Sequence, residues 1–145
     1  MQSLPHHYNV KTHSTPDSQI IASSQGIPDL ITSAPAEFGG PGDQWSPETL
    51  FMSAVASCFV LSFKAVAGAS SFTWKDLQCE SIGKLEKIER TMKFTEITTK
   101  VKLTIGNDVD KQKAIKLIEK SESICLVTNS LTASLKLEYD IIVEA

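Results

Sequence analysis

The sequence predicts an α+β fold with an antiparallel sheet, and three observations carry that expectation. Strand-like stretches come in groups rather than alternating regularly with helices. One long helical stretch, Ser46 to Ala67, is apolar on nearly every face. A second, amphipathic helix starts among Asn107, Asp108 and Asp110. The order is therefore three strands, a helix, two strands, a helix and a closing strand. With 145 residues, 41% of them hydrophobic, the chain can build one ordinary core, so a single domain over 1–145 is expected.

The N-terminal strands are short. YNVKTH, SQIIASS and PDLITSA, between Tyr8 and Ala34, are separated by Pro16-Asp17 and by Gly26 to Pro28, which is the pattern of a small antiparallel meander. The next stretch, PAEFGGPGDQWSP, holds three glycines and three prolines and reads as a loop. Ser46 suits the N-cap, Pro47 the first helical position, and Glu48 places negative charge in the first turn. The helix that follows is about twenty-two residues, roughly 33 Å long. A monomer of this size has too little chain to enclose such a helix on all sides, so part of its surface is expected to meet another chain.

Gly68 to Ser71 end that helix. WKDLQCESIGKLEKIE and TMKFTEITTKVKLTI then form a strand pair broken near Glu89-Arg90-Thr91. From Thr99 onward Val101, Leu103 and Ile105 alternate with Lys100, Lys102 and Thr104, as in a strand with one wet face. Ala114, Ile115, Leu117 and Ile118 recur at helical spacing, and the richer Ser/Thr/Asn content from Ser121 marks a kink or restart near Cys125. LKLEYDIIVEA is the last strand. No repeat or low-complexity tract occurs.

Several function classes are disfavoured by composition. Seventeen acidic against fourteen basic groups give a net charge of −3, without the basic footprint that nucleic-acid binding needs. MQSLPHHYNV does not read as a secretory signal, and Ser53, Ser57, Ser62 and Lys64 argue against a lipid-spanning role for the long helix. A cytoplasmic protein is expected. The three cysteines, Cys58, Cys79 and Cys125, are not a secreted disulfide framework, and no C-x-x-C pair exists. His6, His7 and His13 lie far from them in sequence, so neither a metal nor any other cofactor is anticipated.

Cysteine often serves as a small buried hydrophobe, and Cys79, on a strand, is assigned to that role or to simple exposure. Cys58 and Cys125 each fall at an apolar helical position with hydroxylated neighbours: Ser57 and Ser62 for one, Ser123 and Thr128 for the other. Both packing and a redox pair remain open on these residues alone. A redox cycle needs a stabilised thiolate and benefits from a second thiol that resolves a sulfenic acid.

The run GGPGDQWSPETLFMSAVASCF resembles the segment of the OsmC/Ohr family in which a glycine-containing loop leads into a Pro-Glu helix start, with a cysteine ten residues after the glutamate. An amphipathic helix leading into SICLVTNSL is similar to the family's second cysteine segment. The resemblance implies an intertwined α+β homodimer, with the two long cysteine helices central and antiparallel sheets outside. It also implies reduction of organic hydroperoxides, with a lipoyl-type or other dithiol as reductant. On that resemblance Cys58 matches the peroxidatic cysteine, Cys125 the resolving cysteine, and Glu48 the carboxylate of the active-site ion pair. Ten helical residues rise about 15 Å and leave Glu48 and Cys58 about 80° apart around the axis. An antiparallel pair of such helices would instead bring Glu48 of one subunit toward Cys58 of the other.

Two departures from the family pattern stand out. The arginine that the peroxidases carry in their N-terminal region has no counterpart, since Arg90 is the only arginine and Lys11 the nearest basic candidate. Lysine lacks the planar fork that pairs with a carboxylate. Leu126 follows the second cysteine where family members often have proline. The sequence therefore supports two functions: a thiol peroxidase, and a dimer that binds a small apolar or electrophilic ligand with weak or no turnover.

Overall fold

The computed structural model describes residues 1–145. The elements are β1 (Lys11–His13), β2 (Ile20–Ser24), β3 (Ile27–Thr32), α1 (Pro47–Ala69), β4 (Asp76–Ile88), β5 (Thr91–Ile105), α2 (Lys111–Ile124), α3 (Leu126–Asn129) and β6 (Ser134–Val143). Short 3-10 turns at Ala36–Phe38 and Asp108–Asp110 complete the order, which is that of a mixed α+β fold with two three-stranded sheets and few helices. Backbone contacts divide the chain into two units, Met1–Leu50 and Phe51–Ala145.

The first unit contains the antiparallel sheet β1-β2-β3. Only the last three residues of YNVKTH pair as strand. Ile20, Ile21, Ile27 and Ile31 remain exposed, while Thr32 is buried beside the isolated bridge to Trp45. The glycine-rich loop returns the chain through a close approach in which a Cβ on Gly40 would collide with the Ala34 carbonyl. Ser46 then closes a reciprocal cap: its Oγ accepts from the Thr49 N–H at 3.1 Å and its own N–H donates to Thr49 Oγ1 at 2.9 Å. Threonine takes the place usually held by Glu or Gln in this box. Ser46→Ala is expected to lower stability by about 1 kcal/mol, read as an earlier urea midpoint with an unchanged slope.

The second unit is built on the sheet β4-β5-β6. β4 and β5 form the long hairpin, turning at Glu89 (φ 48°) and Arg90 (φ 74°), two non-glycine residues in the left-handed region that a tight two-residue turn demands. β6 pairs with β5 in parallel, Glu96 opposite Ser134 through Ile105 opposite Val143, so the expectation of a wholly antiparallel sheet is corrected. The reason is topological: α2 and α3 carry the chain back along the sheet, and a helical crossover delivers a strand parallel to the one it left.

One face of this sheet meets α1. Val55, Phe59, Phe63 and Ala67, spaced four apart, are the buried residues of α1. Phe59, Phe63 and Ala67 join Phe72, Val101, Leu103, Ile105, Ala114, Leu117 and Ile118 in the core. Near the helix start, Phe51 stacks on Phe94 at 5.1 Å between ring centroids, and Met52 covers Gly83 so closely that a Cβ there would lie 2.8 Å from its sulfur. The opposite face of α1 is not enclosed within the chain: Ala54, Ser57, Leu61, Ala65 and Gly68 are all exposed. By length and composition α1 could cross a membrane, but its buried stripe is committed to the sheet.

Candidate functional site

Cys58 lies in the fourth turn of α1, half-buried, with Val55 and Phe59 on the adjoining buried face. Cys125 is not on a helix, as the apolar spacing had predicted. It occupies the break between α2 and α3 with extended backbone (φ −64°, ψ 106°), and its N–H donates to the Glu122 carbonyl at 3.3 Å. The extended residue turns its side chain inward, and Cys125 is only 1% exposed. The break also brings the sulfur toward the N–H groups of Val127 and Thr128, though none forms a close capping hydrogen bond.

The two thiols meet. Cys58 and Cys125 are close enough to act on each other's ionisation, and their interaction favours the charge on Cys125. Burial pushes Cys58 above the ordinary thiol value of 9.0, and the adjacent Cys125 adds to this, against the Val127 N–H and the Ser62 hydroxyl. Burial also works to raise Cys125, but the Thr128 hydroxyl and N–H, the Cys58 thiol and the Val127 N–H outweigh it and hold Cys125 below the ordinary value. The Thr128 hydroxyl has a single proton, which it shares between this sulfur and the Cys125 carbonyl oxygen 3.3 Å away. The pair is therefore polarised, with negative charge favoured on the more buried sulfur.

Cys79 projects from β4 onto the apolar face, opposite Val101 and in the same row as Tyr139. Burial first, then the charge of Cys125, push its thiol up to about 11. At neutral pH it is a protonated hydrophobe, in keeping with the packing role expected of it. All three cysteines are free thiols.

Beside Cys125 lies a small cavity lined by Val55, Phe59, Thr99, Glu122, Thr128 and Leu135. Its volume of about 10 Å³ has room for about one water molecule. The larger concavity, about 540 Å³, spreads over Gln78, Lys100, Lys102, Glu138 and Asp140. In register, Lys100 lies between Glu80 and Glu138 while Lys102 faces Asp140, so this surface is charge-compensated rather than of one sign.

Glu48 sits in the first turn of α1, half-buried, with Oε2 shielded from solvent and without a hydrogen-bond partner. Arg90 is exposed in the hairpin turn, Lys11 is exposed on β1, and Leu126 is 72% exposed at the start of α3. The residue that sequence reasoning missed is Glu122. On an amphipathic helix a glutamate reads as part of the wet face, yet this one is half-buried beside Cys125, and burial raises its carboxyl above the ordinary value. The helix break beside it was the available signal.

The model of the OsmC-like protein family matches residues 40–140, well over half of the chain. The chain belongs to the OsmC-like family. Its matched region takes in the whole of α1, the β4-β5 hairpin and the Cys125 break. Among relatives, this OsmC-like chain is 26% identical over 140 residues to the uncharacterized protein YmaD of Bacillus subtilis, covering 93% of each. Among solved structures, it resembles an OsmC-like protein of unknown function from Vibrio cholerae (TM-score 0.82, 16% identity, 94% of this chain and 100% of that one). It also resembles an organic hydroperoxide resistance protein OsmC from Legionella pneumophila (TM-score 0.76, 22% identity, 97% and 100%). These structural likenesses concern the fold.

Proposed function

We propose that this OsmC-like protein is a thiol-dependent peroxidase that reduces organic hydroperoxides through Cys58 and Cys125. The observation that carries the reading is the pairing of two neighbouring free thiols that act on each other's ionisation, delivered by separate elements, α1 and the α2–α3 break. The name of the Legionella pneumophila neighbour points the same way.

The chemistry balances in three steps. Cys58 loses its proton and attacks the distal peroxide oxygen; an S–O bond forms, the O–O bond breaks, and the alkoxide takes a proton to leave as alcohol. Cys125 then attacks the Cys58 sulfenic sulfur; an S–S bond forms, the S–O bond breaks, and hydroxide leaves as water. A lipoyl-type dithiol finally reduces the disulfide by exchange and is itself oxidised. The lowered Cys125 suits it both as the attacking thiol of the second step and as the leaving thiolate of the third.

The cavity beside Cys125 holds about one water, so the hydrocarbon part of a substrate needs other walls. The uncovered apolar face of α1 offers them if a second copy packs there. The working unit in this reading is a homodimer of single 1–145 domains, with two α1 helices central and Glu48 of one subunit serving Cys58 of the other, and it acts in the cytoplasm. The shielded, unpartnered Glu48 oxygen leaves a cation or donor to be supplied from outside the first turn. The same orphan favours the second reading, a dimer that binds a small apolar or electrophilic ligand with weak turnover, because no arginine is at hand to activate Cys58. Purified protein incubated with cumene hydroperoxide and dihydrolipoamide decides between them. Consumption of peroxide matched by oxidised dithiol supports the peroxidase, and a rate equal to the protein-free control overturns it.

A further inference from the structure

Glu122 and Cys125 line one cavity, and the arrangement around them leaves that carboxyl group without a structural task. It forms none of the ion pairs of the molecule, which join Lys84 to Glu86, Lys100 to Glu138 and Lys136 to Glu96. The neighbours across the cavity are Val55 and Phe59 of α1, Thr99 of β5, Leu135 of β6 and Thr128 of α3, none of them charged. The titratable group that acts on Cys125 from a packed element is Cys58 of α1, while Cys79 of β4 feels the charge of Cys125 and Glu122 of α2 lines the same cavity. Cys79 keeps its proton to about 11 and is no base at neutral pH.

We propose that Glu122 is the proton acceptor for Cys125, receiving its thiol proton as Cys125 closes the disulfide. The inference rests on the Cys58/Cys125 redox reading and adds a residue to it. While Cys58 is a thiol, its S–H supports negative charge on Cys125. Once Cys58 carries an oxygen or a disulfide-bound group, that donor is gone. The remaining support is Thr128, the Val127 N–H and the cavity that Cys125 and Glu122 both line. A carboxyl raised by burial is a better base than an ordinary one.

The test needs no peroxide. In a Cys79→Ala background, Ellman's reagent places a thionitrobenzoate on Cys58. Attack by Cys125 forms the Cys58–Cys125 S–S bond, breaks the bond to thionitrobenzoate, releases it as a coloured thiolate and passes the Cys125 proton to Glu122. The rate of this second release is followed against pH. Glu122→Gln is expected to slow it by about tenfold or more near pH 7 and to remove the limb of the profile that follows carboxyl ionisation. Glu122→Asp is expected to restore part of both. A purely structural role would lower the thermal midpoint without moving the pH profile. A Gln variant whose profile superimposes on the parent overturns the role of Glu122 and leaves the redox pair standing. Absence of any second release in the parent overturns both.

Discussion

Cys58→Ser is expected to abolish hydroperoxide consumption, lowering the rate by roughly a thousandfold or more, as removal of an obligatory nucleophile does. Cys125→Ser should behave differently. With the resolving thiol gone, one equivalent of peroxide is consumed and a sulfenic acid persists on Cys58, where a dimedone-type trap and mass spectrometry detect it. In the parent protein the same treatment should link the peptides carrying residues 58 and 125, while Cys79 stays reduced because its thiol is pushed up to about 11. The pH dependence has a definite sign. Burial raises Cys58 above 9.0, so its thiolate fraction at neutral pH is below that of a free thiol, and the rate should climb with pH past the range where an unperturbed cysteine has levelled off. A profile already flat by pH 8 contradicts this, as does full activity in the serine variant.

Phe63→Ala is expected to be the most damaging single truncation of the fold, at about 3–5 kcal/mol. Phe63 is fully buried and meets Trp74 edge-on, 5.6 Å between centroids at 76°. Its removal leaves a cavity between α1 and the sheet, in a core that close packing does not let collapse freely. Equilibrium urea unfolding measures the loss. A change below about 1 kcal/mol, the size of an average substitution, means that the helix–sheet contact does not carry the fold.

Much of this architecture was legible. Ser46, Pro47 and Glu48 announce the start of α1 because capping chemistry is local, and the observed cap uses Ser46 as expected. The alternation from Thr99 to Ile105 marked β5 because its two faces meet different surroundings. Strand direction was not legible: the residues of β6 would suit either orientation, and parallel pairing follows from the helices before it. The long helix was read as apolar all round, but composition does not say which face packs within its own chain, and only Val55, Phe59, Phe63 and Ala67 are buried. For the site, sequence singled out Cys58 and Cys125, whose thiols do meet. It placed Cys125 on a helix with a kink or restart nearby, and the break falls on Cys125 itself. It passed over Glu122 because a glutamate on an amphipathic helix reads as wet face, although the kink expected near Cys125 was the signal that this residue turns toward the core.

The parallel pairing of β5 with β6 has a consequence for how the chain is made. β5 is the central strand, and Ile97, Val101, Leu103 and Ile105 are among the most buried residues of the protein. One of its edges is occupied at once by the adjoining β4 through a tight hairpin. The other waits for β6, which comes only after residues 106–133 have folded back as α2 and α3. During synthesis a chain that has reached Ile105 therefore presents an unpaired, apolar strand edge, the feature that recruits foreign strands. Long-range parallel pairing is also slow to form. Translational pauses between β5 and β6 are therefore expected to prove more costly in yield than pauses anywhere earlier, and co-expressed chaperones to recover part of that loss.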